Sequence, residues 1–578
     1  MMLAPRCFSR VTLVLLSIIL SLLLFTALRV HNGIPPTVSI TAAQSMVENL
    51  AGEWFHLDRQ NPDKVSPFTP HTDNGAEEPK PPELLVEGKA SRNLARPPEL
   101  EYLRQERFGL TDTILYAQQC IKPVYDQTID RNLITNITTA FISDKSTISV
   151  TLSNDDDLSL SLPPCIPISL PVSSPYPKAP HPELIFGVAS TYSRLSSEST
   201  LSAFSHWLSH SKSRLVLTIT DYHTLPPSST LSSLVKLYHS RSILATALPP
   251  QQPPKTTHPT AKNYTTPQLH FLLLSTLLSF STPQTTFLSL IDDDTFFPSL
   301  FPLSTALSRY DPSLPLYLGA RSESKSANAQ YGEMAFGGAG IFVSVPLAKQ
   351  LVPFYERCAV EAGGGKEKGG DGILRDCVYN YTEARLTEVK GLWQGDLRGD
   401  VSGFFEGMGI GMGLHHWKSW FHAPVAQMAS INTVCGDCFL QRFKTGFGDN
   451  TTTTTTTTTD NDNERKGLWV NGYSYTEYSP GSFPSDADLQ KVEGTWLYAD
   501  EGDYDETYGG PLRQRLDPDQ KKQWLLVDAY WTGGGNAWRR QKRQQFRQLY
   551  VYRAPRVLPG EERQNRKAVD EVLEVVWD

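Results

Sequence analysis

"FLSLIDDDTFFPSL", Phe287 to Leu300, is the stretch on which the fold turns. A mostly apolar run leads directly into Asp292, Asp293 and Asp294, and two phenylalanines follow at once. Adjacent like charges repel, and desolvation raises the pKa of each carboxyl. Such a triplet is tolerable at a solvated turn. It is useful where a divalent cation sits, because hard cations take oxygen ligands. On an extended strand the side chains alternate, so Asp292 and Asp294 share one face and Asp293 takes the other. Two carboxylates on one face can address one Mg²⁺ or Mn²⁺, and that cation can grip a diphosphate. The plain alternative is an Asp-rich turn.

Outward from this stretch the chain alternates strand and helix patterns. "ELIFGVAST" (Glu183 to Thr191) and "RLVLTITD" (Arg214 to Asp221) read as strands, with the helical spacing of "LSAFSHWLSH" between them. "QLHFLLLSTLLSF" (Gln268 to Phe280) is too short to span a bilayer and reads as a core helix. "LPLYLGA" (Leu314 to Ala320) and "GAGIFVSV" (Gly338 to Val345) add two more strands. The alternation implies an α/β fold, a largely parallel sheet with helices on both faces. Ligands then bind at the carboxyl ends of the strands, where Asp221 and the three aspartates stand.

Composition bounds the rest. A chain of 578 residues suggests several domains. Net charge is −8 with no dominant basic block, which gives no reason to expect a nucleic-acid partner. Val11 to Leu28 is an uncharged apolar run of about 27 Å as a helix. It reads as a transmembrane signal anchor rather than a cleaved leader. Arg6 and Arg10 before it favour a cytosolic tail (1–10) and a lumenal remainder. The organisation expected is an anchor (11–28), a Pro-rich stem (29–110), an N-terminal lumenal extension (111–178) and an α/β catalytic domain (179–445). A Thr-rich linker (446–466) and a small β-rich module (467–578) follow. The localisation expected is the Golgi or ER membrane, single-pass type II. Six of the seven cysteines fall on the lumenal side, Cys120, Cys165, Cys358, Cys377, Cys435 and Cys438, and an even number permits full pairing. Cys358 and Cys377 bracket a Gly-rich insertion and are expected to pair. "CGDC" (Cys435 to Cys438) suits a structural disulfide better than zinc. Acceptor sequons begin at Asn136, Asn263, Asn380 and Asn450.

Three further stretches bear on chemistry. "GLHHWKSWFH" offers His415 and His416 as cation ligands, and Trp417 and Trp420 as faces for a sugar ring. The alternative is a packed aromatic corner. "KEKGGDGILRDCVYNY" places Asp371 between glycines before a helical pattern. That residue is either a helix cap or a carboxylate general base. "MAFGGAGIFVS" packs glycines, Gly338 and Gly340 among them, before a strand, which suits close backbone approach to a ligand or a tight bend.

Taken in order, "LIDDDTFFPSL", "MAFGGAGIFVSVPLA", "GDGILRDCVY", "LTEVKGLWQGDLRGDVSGFFEG", "LHHWKSW" and "VCGDCFLQRF" resemble the fungal, Fringe-related branch of glycosyltransferase family 31. The resemblance runs from about Pro182 to Phe443. It implies a GT-A-like, Rossmann-type mixed sheet, a UDP-sugar donor and Mn²⁺. The reaction implied is inverting transfer of a hexose or N-acetylhexosamine to a glycan hydroxyl, in β-1,3 linkage. Asp292, Asp293 and Asp294 then match the metal and diphosphate motif, and Asp371 matches the base. Gly370 departs from the pattern, since Fringe-type enzymes carry another acid there. His415 or His416 matches a late metal ligand. Thr191, Arg194 and Asp221 match positions near the nucleotide, and Gly338 and Gly340 fall to the donor side. Two rivals stand beside this reading: a degenerate glycan-binding scaffold, and a haloacid dehalogenase-type phosphatase, which would want Thr or Val where Phe296 stands.

Overall fold

The structure is a computed structural model, and it describes residues 97–142, 146–153, 162–226, 229–254, 263–361, 369–446, 466–532, 544–555 and 568–578. Among these, one sheet carries the expected α/β pattern. Its order from edge to edge is Leu386–Glu388, Tyr317–Gly319, Ile341–Ser344, Phe287–Leu290, Leu184–Ser190, Arg214–Ile219 and Leu244–Leu248. Only Ile341–Ser344 runs against its neighbours. The sheet is therefore mixed.

Strand alternation explains why both faces are covered. Phe186, Val188, Leu215 and Leu217 point into one apolar cluster, shared with Leu201, Phe204 and Trp207 of the helix Glu198–Leu208. Ile185, Val216, Leu288 and Leu290 point into the other, shared with Phe271, Leu274 and Leu277 of the helix Thr266–Ser279. At Gly187 a Cβ would meet Leu277 Cδ1 at 3.0 Å, so the glycine lets that helix lie close to the sheet.

From Leu184–Ser190 the chain steps one way to the next two strands, then returns to place Phe287–Leu290 on the other side. Strand order thus reverses between Leu184–Ser190 and Phe287–Leu290. A crevice opens at the carboxyl ends at such a reversal.

The fold expectation needs one correction. Among the described residues no helix is long and apolar enough to cross a membrane. The apolar helix Thr266–Ser279 has 14 residues, about 21 Å, against the roughly 20 residues a span needs. The membrane-spanning helix is therefore not an element of the described fold. Val11 to Leu28, and the stem up to residue 96, lie outside the described residues, as do Asn450 and the threonine run.

The second sheet crosses the expected domain boundaries. Its path is Ile134–Ile137, Arg442–Thr445, Lys466–Val470, Ser474–Tyr478, Lys521–Thr532, Gln545–Tyr552, Asp570–Trp577, Thr113–Asp126 and Ile148–Thr151, with Ile168–Ser173 also on Thr113–Asp126. Thr113–Asp126 lies parallel to Asp570–Trp577, with Ile114 opposite Asp570. Strands from 111–178 and from 467–578 thus share one sheet, which carries the fully buried Trp469, Trp524 and Trp577.

Candidate active site

The phenylalanines explain how the three acids are held. Phe296 and Phe297 are fully buried. Phe296 exchanges backbone hydrogen bonds with Leu414, at 2.8 and 2.7 Å. The Asp292 N–H donates to Thr295 Oγ1 (3.0 Å), whose hydroxyl donates to the Gly338 carbonyl (3.0 Å). An apolar plug thus fixes a turn that carries the acids and draws the next residue, His415, onto them.

Asp292 and Asp294 meet at His415. Its Nε2 lies 3.4 Å from Asp292 Oδ2 and 3.2 Å from Asp294 Oδ1. Its Nδ1 is 2.9 Å from the Gln394 carbonyl. A carbonyl only accepts, so Nδ1 carries a proton and Nε2 is the atom turned to the acids. At Gly338 a Cβ would come within 2.1 Å of His415 Nδ1. This glycine makes room for the imidazole, whereas the sequence assigned it to the donor. Gly340 has φ +96° and packs against Phe297 and Phe342, which makes it a tight bend.

The protein packed around Asp292, whose side chain is still 44% exposed, opposes its charge, but the hydrogen bond and charge of His415, with His270 and His416 behind, hold its carboxyl well below the usual range. Asp294 is lowered too, with burial again outweighed by His415. Conversely, burial would depress His415, and the two carboxylates drive it well above its ordinary value. Two carboxylates around one imidazolium leave a net negative charge. Two oxygens and an imidazole Nε2 of fixed tautomer are a donor set that suits Mn²⁺ or Mg²⁺.

Asp293 turns the other way. Arg194 grips it through Nε (2.6 Å) and Nη2 (2.5 Å), the Ser190 hydroxyl donates to it, and Lys418 Nζ stands 3.6 Å off. The pair Arg194–Asp293 ties Leu184–Ser190 to the acid turn across the point where strand order reverses. Thr191 caps the short helix Tyr192–Ser196, and Asp221 Oδ1 accepts the Tyr192 N–H (2.8 Å). Both hold this turn.

Asp371 lies in the first turn of the helix Gly369–Tyr381. Its Oδ2 accepts the Gly337 N–H at 2.8 Å. Burial pushes its carboxyl up to about 6, against the opposing charge of His270. His270 was not singled out in the sequence, where it reads as one polar residue in an apolar helix. Its Nδ1 is 3.5 Å from Asp371 Oδ1 and its Nε2 is 3.8 Å from Asp292 Oδ1. The ring is buried, without a hydrogen bond at either nitrogen. At Gly370 a Cβ would come within 2.5 Å of His270 Nδ1. The glycine that departs from the Fringe pattern is therefore the seat of a histidine that spans the two acids.

His416 has φ +60°, and its ring lies against that of His415, with centroids 3.8 Å apart. Its Nε2 lies 3.0 Å from Asp396 and its ring stacks on Trp420, with centroids 3.9 Å apart. Asp294, His415 and His416 together still offer one ligand atom each within 4.8 Å of one another. Trp417 is buried, with Lys418 Nζ over its ring, so it belongs to the aromatic corner and offers no open face.

The cysteines pair as Cys120–Cys165, Cys358–Cys377 and Cys435–Cys438. Asn136, Asn263 and Asn380 are exposed.

A family model described as "Protein of unknown function, DUF604" matches residues 327–434, which include Gly338, Asp371 and His415. No curated protein is matched. Solved structures similar to the chain include mouse xyloside xylosyltransferase 1 in its apo form, at 10% identity and TM-score 0.24, over 36% of this chain and 84% of that one. Another is the apo glycosyltransferase GlyE of Streptococcus pneumoniae, at 12% and TM-score 0.23, over 35% and 44%. A third is a mannosyltransferase of Pyrobaculum calidifontis in complex with GDP-Man and Mn²⁺, at 13% and TM-score 0.23, over 37% and 58%. All three neighbours are glycosyltransferases, and the chain spans less than two thirds of the last two.

Proposed function

We propose that this protein is an inverting glycosyltransferase that moves a hexose or N-acetylhexosamine from a UDP-sugar to a glycan hydroxyl, within the lumen of the secretory pathway. The observation that carries the reading is the convergence of Asp292, Asp294 and His415 Nε2 at the reversal of strand order, with Asp371 on a separate helix beyond His270. Asp292, Asp294 and His415 would hold the divalent cation. When bound, the cation neutralises the diphosphate leaving group. Burial brings Asp371 to about 6, near an operating pH, which suits a base that takes the proton from an acceptor hydroxyl. The Gly337 N–H and His270 hold that carboxylate in place. Three disulfides suit an oxidising compartment.

The test follows melting and transfer together. A ligand that binds only the native state stabilises it. The full chain should melt higher with Mn²⁺ and UDP, and Asp294→Ala should lose that increment and all transfer while keeping its fold. If Asp294→Ala bound Mn²⁺–UDP and transferred sugar as the wild type does, the acids would be an ordinary polar turn.

A further inference from the structure

Beside the acid cluster lies a groove of about 370 Å³. Pockets of roughly 300–1,000 Å³ hold small ligands. The two sites share a wall: His416, next to His415, meets the groove residues Asp396 and Trp420. The opposite wall is the segment Trp496 to Tyr504, from the expected β-rich module rather than the α/β domain.

That segment is fastened down. Leu497 bridges Arg398 in backbone pairing, and Tyr504 bridges Ser324. Asp503 accepts from the Ser324 hydroxyl (2.6 Å) and the Ser326 N–H (2.7 Å), at the start of the helix Lys325–Tyr331. Trp496 and Tyr504 are buried beneath, with rings 5.0 Å apart. On this base Leu497 and Tyr498 stand out, 59% and 60% exposed, and Tyr498 has φ +65°. A non-glycine residue in that region is uncommon and is kept where the surroundings over-determine it. A large apolar side chain is thus presented to solvent from a rigid support.

We infer that this groove binds the acceptor as a neutral oligosaccharide, with Tyr498 as the platform for a sugar ring beyond the one that reacts. The inference rests on the glycosyltransferase reading for the word acceptor, but the binding chemistry stands by itself. An aromatic face packs against the C–H side of a sugar. The Asp396 and Asp503 carboxylates and the Arg398 guanidinium ring the same space and suit hydroxyl groups. The acids that line the groove, Glu323, Asp396 and Asp503, outnumber its one guanidinium and disfavour an anionic ligand such as a second phosphate or a nucleotide. Trp420, one of the two tryptophans that the sequence offers as sugar faces, has its ring engaged by His416 at 3.9 Å and by Arg398 at 4.5 Å. Tyr498 is the most exposed of the aromatic rings that line the groove.

The test is titration of the full chain with gluco-, galacto- and manno-oligosaccharides of increasing length, followed by calorimetry. Affinity should rise from the monosaccharide to the longer members of one series. Tyr498→Ala should cut the gain roughly 5–10-fold, and Tyr498→Phe should keep it. The groove is overturned if no series binds, or if Tyr498→Ala, with an unchanged melting temperature, binds as the wild type does. Stabilisation by Mn²⁺–UDP is read on the same sample. Glycan binding without it would remove the transferase reading and keep the groove, and the reverse result would keep the transferase reading and remove the groove.

Discussion

Glu406 and Glu493, packed beside the ten-stranded sheet, face Arg513 and Lys521. Asp292, Asp294 and Asp371, at the end of the seven-stranded sheet, face His415 and His270. In the first cluster Arg513 Nη2 is 3.2 Å from Glu406 Oε2 and 2.6 Å from Glu493 Oε2, and Lys521 Nζ is 2.7 Å from Glu493 Oε1. Thr476 also donates to Glu406 at 2.7 Å. Two acids meet two cations whose charge is permanent at neutral pH, so the cluster is closed. In the second cluster the partners are imidazoles: Asp292 and Asp294 hold the proton on His415, and a metal ion at Nε2 would take that proton's place. A buried acid balanced by Arg and Lys holds elements together. A partly exposed acid beside an imidazole leaves its place open to a metal ion or a reacting group.

The largest effect that separates the two clusters is on rate. Asp371→Asn removes a base and keeps the shape, so turnover should fall by about 10²–10⁴-fold while Mn²⁺–UDP binding and melting stay near wild type. Single-turnover transfer alongside the melting curve reads both. If Asp371→Asn lowered the melting temperature and left the turnover of the still-folded protein unchanged, Asp371 would be a structural acid like Glu493.

Some of this contrast was legible in the sequence. An apolar run ending in three acids marks a strand end, because a buried strand must be apolar and its carboxyl end is where ligands gather. Cys358 and Cys377 were legible as a pair because they bracket the Gly-rich insertion. What escaped depended on distant approach. His270 sits in "QLHFLLL", which reads as core. Only the packing of Thr266–Ser279 against Gly337 and Gly370 turns it to the acids. Gly338 was legible as a close approach, but the approaching atoms are those of His415. Trp417 and Trp420 look alike in sequence, and only one of them is buried. The pairing of Ile114 with Asp570 joins parts of the chain too far apart for any local pattern to signal.

Next in size is the stability of the closed cluster. Arg513→Met should cost about 3–5 kcal/mol, the usual penalty for leaving a buried charge without its partner. Glu493 then keeps Lys521 as its ion-pair partner, and Glu406 keeps neutral donors and the nearby charge of Lys521. Chemical denaturation measures it. Mn²⁺ and UDP should still raise the melting temperature of the variant, since the cation site is elsewhere. A loss below about 1 kcal/mol would mean that the permanent cations are not what holds this face.

The smallest effect concerns a carboxylate between the two types. Glu323 is buried and takes the N–H groups of Gln394 (2.9 Å), Gly395 (2.8 Å) and Asp396 (3.3 Å). Burial, with the negative charge of Asp396 behind it, pushes its carboxyl from 4.5 up to about 7, and the backbone donors offset only part of this. The sign then follows. Between about 4.5 and 7 the folded chain keeps a proton that the unfolded chain has released. Stability therefore falls as pH rises through this window, by up to about 1.4 kcal/mol per pH unit from this group. Glu323→Gln keeps an oxygen for the N–H groups and has no proton to lose. Wild type and variant should be unfolded in denaturant across pH about 4 to 8, the span that brackets the window. Their difference in stability should be flat below the window, slope within it and be flat above, which separates Glu323 from the histidines titrating in both. A difference that does not move with pH would mean that three backbone donors hold the charge as firmly as Arg513 and Lys521 hold Glu493. Glu323 would then belong with the closed cluster.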